Sequence, residues 1–146
     1  MVNDETDTIG IIPADSPNWF DEELSDAIGT DNKEEFLSII DRGLHIFRTR
    51  PQKILCDVIS NCAVNCAEAL ITGQTPLTVD LNLPCCPRTG AYPIHLIAFT
   101  QLDAPSITEL ILYYGARTDI RYQPISDYYK KYSNMLTLQI ALCRIV

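Results

Sequence analysis

The sequence predicts an all-α fold built from short helix-turn-helix units, and three observations lead there. In the first, Ile94, Ile97 and Ala98 recur at i, i+3 and i+4, the spacing of one helix face, and Ile107, Leu110, Ile111 and Leu112 form the apolar stretch of a second helix. In the second, Ile54, Leu55, Val58, Ile59 and Cys62 make another helical stripe, which Cys66, Ala69 and Leu70 continue up to Gly73. The third is punctuation. Pro93 suits a first helical position, where its missing N–H would have no partner, and Gly115 suits the left-handed residue just past a helix end. With 146 residues, 47% of them hydrophobic, the chain is long enough for one domain with a continuous core.

The best-marked unit is Gly90-Ala91-Tyr92-Pro93-Ile94-His95-Leu96-Ile97-Ala98, followed seventeen residues later by Gly115-Ala116-Arg117-Thr118-Asp119. It resembles the ankyrin repeat, in which a G-x-T-P-L-H-x-A-A opening starts the first helix and a glycine-alanine-aspartate stop follows the second. The resemblance implies a solenoid of stacked helix pairs with hairpin arms, about three repeats plus a partial fourth. It also implies that His95 hydrogen-bonds within the turn network of adjoining repeats.

Taken in order, the chain divides into a leader and these units. Residues 1–18 form an acidic leader, expected to be disordered up to about Ala14, and Ser16-Pro17-Asn18-Trp19-Phe20 reads as a helix entry whose aromatic residues pack on the first repeat. The first repeat, about 19–50, follows the ankyrin layout: Leu24 precedes Gly43 by the family's nineteen positions, Ala27 and Ile28 stand at the two alanines, and Asp31-Asn32-Lys33-Glu34 forms the turn. Phe36, Ile39 and Ile40 are its expected second-helix core, and His45, Arg48 and Arg50 read as a solvated connection. The second repeat, about 51–86, has two short helices without a clear proline start. Thr75-Pro76-Leu77-Thr78 copies the ankyrin opening but leads into a period-two alternation and a second proline, so 78–83 is expected in an extended hairpin arm with Asp80 and Asn82 exposed. The third repeat spans about 87–123. In the partial fourth, 134–146, Leu136-Thr137-Leu138-Gln139-Ile140-Ala141-Leu142 is a degenerate opening with glutamine at the histidine position.

Charge and cysteine usage narrow the function. Residues 1–35 carry eleven acids against one lysine, a net of −10, whereas the rest has eight acids and ten Lys or Arg, a net of +2. Such a distribution argues against nonspecific binding to nucleic acid or to an anionic membrane. The N-terminus lacks the basic-then-apolar pattern of a signal peptide, and the longest uncharged run, 89–102, is too short to span a bilayer, so a cytoplasmic or nuclear protein is expected. The six cysteines show no C-x-x-C spacing and read as reduced thiols; a metal or redox site would require Cys62 and Cys66, at i and i+4, to be approached by Cys85 and Cys86. No phosphate-binding glycine loop, nucleophile elbow or H-E-x-x-H occurs, so neither catalysis nor a cofactor is expected.

What remains is a noncatalytic protein-protein interaction module, a scaffold or adaptor acting as a monomer through its arms and concave face. The alternative is a fragment of a larger ankyrin-containing enzyme, channel or ubiquitin-ligase adaptor. Ile94 and Leu138, both at the leucine position of the opening, lie 44 residues apart. Against the roughly 33 of an ankyrin period, that places two extra residues near Asp103 and nine in the arm after Gly115. This enlarged arm is rich in tyrosine and arginine, the residue types that dominate interface energies. Arg121, Tyr122, Tyr128 and Tyr129, with Arg88 and Tyr92 on the neighbouring arm, are therefore the candidate partner-binding residues, and the acidic leader is a candidate cover for them.

Overall fold

The computed structural model describes residues 17–100, 105–125 and 127–145, and among them the protein is all-helical, with no strand. The helices are α1 Pro17–Gly29, α2 Lys33–Arg42, α3 Leu44–Phe47, α4 Pro51–Ser60, α5 Val64–Ile71, α6 Pro93–Thr100, α7 Pro105–Tyr113 and α8 Thr137–Ile145, with a 3-10 helix over Asp127–Tyr132. Residues 1–16 of the expected leader, and the two extra residues expected near Asp103, lie outside the described residues; Pro17 and Asn18 already belong to α1.

The first two helix pairs are built alike. Phe20, Leu24, Ala27 and Ile28 bury one stripe of α1, and Phe36, Ile39 and Ile40 bury one stripe of α2. Asn32 caps α2 by accepting the Glu35 N–H, while Glu34 and Glu35 in the first turn and Arg42 in the last complement the helix dipole. In α4 and α5 the buried stripe runs through Ile54, Leu55, Val58, Ile59, Cys66, Ala67 and Leu70. A proline start does exist: Pro51 occupies the first turn of α4, three residues before the apolar stripe.

The turns between the paired helices match in backbone detail. Asp31 and Cys62 both have positive φ, +51° and +53°. The Asp31 and Asn32 N–H groups return to the Ile28 and Ala27 carbonyls, and those of Cys62 and Ala63 return to Ile59 and Val58. The same turn therefore recurs, and the two copies are stitched together. α5 has no side-chain cap of its own; the Asp31 carboxylate accepts instead from the N–H groups of Asn65 and Cys66, at 3.2 and 3.0 Å, the donors an N-cap side chain would take.

Helix pairs stack in two rows. α1, α4, α6 and α8 touch in succession, α2, α5 and α7 run beside them, and α1·α2, α4·α5 and α6·α7 close each pair. Gly43 ends α2 with φ −105°, so its glycine serves close packing rather than a left-handed backbone: a Cβ there would lie 2.7 Å from the Phe47 ring. The segment after Gly43 is not an open connection. It forms α3, with Phe47 buried and the Phe20 ring set edge-on against Phe47 and His45.

Two long arms complete the fold. Residues 72–92 link α5 to α6 without helix; Leu77 and Leu81 are buried, but the alternation read over 78–83 does not hold throughout, since Leu83 is 49% exposed. No hairpin forms over 78–83; the tight turn lies further on, where the Gly90 N–H returns to the Cys86 carbonyl and Ala91 accepts from Cys85 and Cys86. Asn82, expected to be exposed, is half-buried and joins the arms, donating to the Gly115 carbonyl and accepting from the Arg117 N–H. Gly115 has the expected positive φ, +102°.

The second arm folds back over α6. Tyr122, Tyr129 and Tyr132 surround the Phe99 ring at centroid distances of 5.1, 5.0 and 5.2 Å. α8 is present where the degenerate opening stands, yet Leu138 is 69% exposed while Ile94, its counterpart in α6, is 4% exposed. The helix register is shared, but only α6 is enclosed on both sides, by α4 and α8.

Candidate functional site

His95 organises the arms. Its Nε2 lies 2.9 Å from the Ile120 carbonyl, which can only accept, so the proton sits on Nε2 and Nδ1 accepts the Tyr92 N–H. Burial holds this imidazole below its ordinary range, in its neutral form. At the start of α8 the Gln139 side chain accepts the Leu136 N–H in the same way, three residues into the helix. The sequence position shared by His95 and Gln139 thus has a shared job, and the second ring nitrogen gives His95 an additional tie to the next arm.

Between the N-terminal half of α4 and the two arms lies a cleft of about 510 Å³. Gln52 fixes its lower edge, with the Oε1 accepting the Asp80 N–H at 2.7 Å and the Nε2 donating to the Asp80 carbonyl. Pro84, Cys85, Cys86 and Pro87 form one wall, and Tyr92, Arg121, Gln123 and Ile125 form the other. Gly90 is required where the arms meet: its φ is +75°, and a Cβ would come within 3.1 Å of the Gln123 carbonyl.

Arg50, Lys53 and Arg121 bring three cations to this lining, which contains no acidic residue among those described. Arg50 is held by Asp21 at 2.6 Å and stands over the Phe47 ring, Lys53 pairs with Asp57, and Arg121 donates to the Asn134 carbonyl. Each cation is therefore anchored from outside the cleft while contributing to its lining. An apolar wall with cations and no anion suits a segment that presents both apolar and acidic side chains.

The six residues singled out in the sequence separate here. Tyr92 and Arg121 line the cleft, and Arg88 is exposed on the turn beside it. Tyr122 does not belong to the surface: it is 0% exposed, its hydroxyl donates to the Thr89 carbonyl at 2.7 Å, and burial pushes its phenol up. Tyr129 is half-buried on Phe99 and does not line the cleft. Tyr128 falls in the 3-10 helix, and its side chain lies outside the described residues. Arg117, read as part of the basic arm, is paired in bidentate fashion with Asp119.

The sequence missed Arg50, Lys53 and Gln52 as cleft residues. Their signal was Pro51, which fixes where α4 starts and hence which of its side chains face the arms.

The cysteines also regroup. Cys62 lies in the turn before α5 and Cys66 within it, so the two do not share a helix, and Cys85 and Cys86 line the cleft. Among the described residues no group of three or more His, Cys, Asp or Glu is placed to hold a metal ion. No described helix is long and apolar enough to cross a membrane. Comparison with known proteins finds no family model that matches the chain and no curated protein that matches it.

Proposed function

We propose that this chain is a noncatalytic protein-interaction module of the ankyrin type, acting as a monomer in the cytoplasm or nucleus. It takes an extended segment of a partner protein, apolar with acidic side chains, into the cleft between α4 and the arms. The observation that carries this reading is the lining: Arg121, beside Arg50 and Lys53 that pair outward with Asp21 and Asp57, set in a largely apolar cleft whose lining holds no acidic residue among those described. The ankyrin reading is supported by the recurring turn at Asp31 and Cys62, by the shared capping role of His95 and Gln139, and by the two rows of helices. Repeat stacks of this kind use arms and first helices to bind partners.

The test is site-specific photocrosslinking. A photoreactive residue at Gln123, in the cleft wall, should capture a partner protein, and one at Glu34, exposed on α2, should not. Arg121→Glu should abolish capture at Gln123. Equal capture from both positions, or capture indifferent to Arg121→Glu, would remove the cleft from the account.

A further inference from the structure

The start of α1 stands beside the cleft. Asp21, in its second turn, is bonded at 2.6 Å to Arg50, which belongs to the cleft lining. The described chain begins at Pro17, four residues earlier, so the preceding sequence is attached about 6 Å along the helix from Asp21.

That preceding sequence has the composition the cleft suits. Ile9, Ile11, Ile12, Pro13 and Ala14 stand together between Asp7 and Asp15, and residues 1–16 carry Asp4, Glu5, Asp7 and Asp15 with no Lys or Arg. Pro13 and Pro17 disfavour helix at the residues before them, so the stretch suits an extended path. The cleft offers the complement. Arg121 donates to the Asn134 carbonyl and pairs with no carboxylate among the described residues, and Ile125 in the same wall is 68% exposed.

We infer that residues 7–15 of this chain occupy its own cleft, with the isoleucines on the apolar walls and Asp7 toward Arg121, and that they leave before a partner enters. The inference rests on the reading of the cleft as a site for an apolar, acidic segment. Reach is no obstacle: an extended chain covers about 3.4 Å per residue, so the stretch from Pro17 back to Asp7 spans up to about 34 Å, whereas a cleft of 510 Å³ is about 10 Å across. Tethering makes a weak contact sufficient. A short linker gives an effective concentration on the order of 1 mM, at which a contact with a Kd of about 0.1 mM fills the cleft about nine-tenths of the time. A partner then binds about tenfold more weakly than it would to the open cleft.

The experiment irradiates the full-length chain alone, with p-benzoylphenylalanine at position 123, and digests it with trypsin. No Lys or Arg precedes Lys33, so the leader travels in peptide 1–33, and position 123 falls in peptide 122–130. The expected product is 1–33 joined to 122–130, with fragmentation placing the bond within 7–15 and a yield unchanged on dilution. The same photoreactive residue at position 34 should give no bond to 7–15. The product should be lost in the double variant Ile11→Ser, Ile12→Ser, which alters no described residue, and should fall with added salt. The inference is overturned by the absence of a bond between 122–130 and residues 7–15, by a bond that survives the double variant, or by one whose yield grows with protein concentration. Capture of a partner protein at position 123 by a chain that shows no such bond overturns this inference alone. The bond in the unaltered leader, with no partner captured by the double variant, supports it and removes the proposed function instead.

Discussion

The first two helix pairs and the two arms are held together by different means. In α1, α2, α4 and α5 the contacts come from periodic apolar stripes, and the turns between helices repeat with the same backbone hydrogen bonds. In the arms the ties are single polar links between residues far apart in sequence: Gln52 to Asp80, Asn82 to Gly115 and Arg117, His95 to Ile120, and Tyr122 to Thr89. A periodic stripe spreads its contribution over many side chains. An arm concentrates it at a few positions, so it can carry a cleft of irregular shape but depends on each link.

The largest effect should come from breaking the arms at their meeting point. Gly90→Val imposes a β-branched residue at φ +75° and drives a Cβ toward the Gln123 carbonyl, whereas Gly115→Val meets the first penalty alone, since nothing lies within 4 Å of its Cβ. Backbone strain of this kind costs about 1–3 kcal/mol, so Gly115→Val should lose roughly 2 kcal/mol, and Gly90→Val should lose more because backbone must also shift. Urea unfolding of the two variants measures the difference. Equal losses would mean that the arms do not meet as closely as described.

Next in size is the polar link by which one helix pair caps the next. Asp31→Ala removes the cap that α5 takes from its neighbour and leaves alanine at φ +51°, which together should cost about 2 kcal/mol. The comparison is sharpened by asking where the damage appears. Hydrogen exchange should accelerate at Asn65 and Cys66, while the arms stay as protected as before.

A smaller effect tests the His95 link through pH. Burial lowers the folded-state pKa of His95 below 6.5, so as the pH falls the unfolded chain takes up the proton first. The contribution is whole above about pH 6.5 and is lost below it, at up to ~1.4 kcal/mol per pH unit until the folded-state value is reached. His95→Gln should keep the Tyr92 acceptor, as Gln139 does at α8, and remove this slope. Parallel stability–pH curves for the two proteins would contradict the assignment.

What the sequence made legible follows the same division. Leu24, Ala27, Ile28, Phe36, Ile39 and Ile40 were readable because burial on a helix leaves a 3.6-residue period, and Gly115 was readable because positive φ selects glycine. The arms left no such record. Nothing in the composition of 114–136 distinguishes Tyr122, sealed beneath Thr89, from an exposed interface tyrosine, because the distinction depends on pairing across thirty-three positions. Asn82 was misplaced for the same reason: its partners, Gly115 and Arg117, come from the other arm. Tyr92 and Arg121, which line the cleft, were singled out through local enrichment in interface residue types, a signal that carries no information on depth.

The central claim is that the binding surface is the cleft and not the outer side of the tyrosine-rich arm, and two variants measured side by side test it most directly. The affinity of the crosslinked partner for Arg121→Glu and for Tyr129→Ala, with the melting temperature of each, separates the two surfaces. Arg121→Glu should weaken binding at least tenfold, about 1.4 kcal/mol, with little change in melting temperature. Tyr129→Ala should lower the melting temperature by removing a ring from Phe99 and leave the affinity nearly intact. Loss of binding in Tyr129→Ala at full stability, with Arg121→Glu binding normally, would place the interface on the finger and contradict the account.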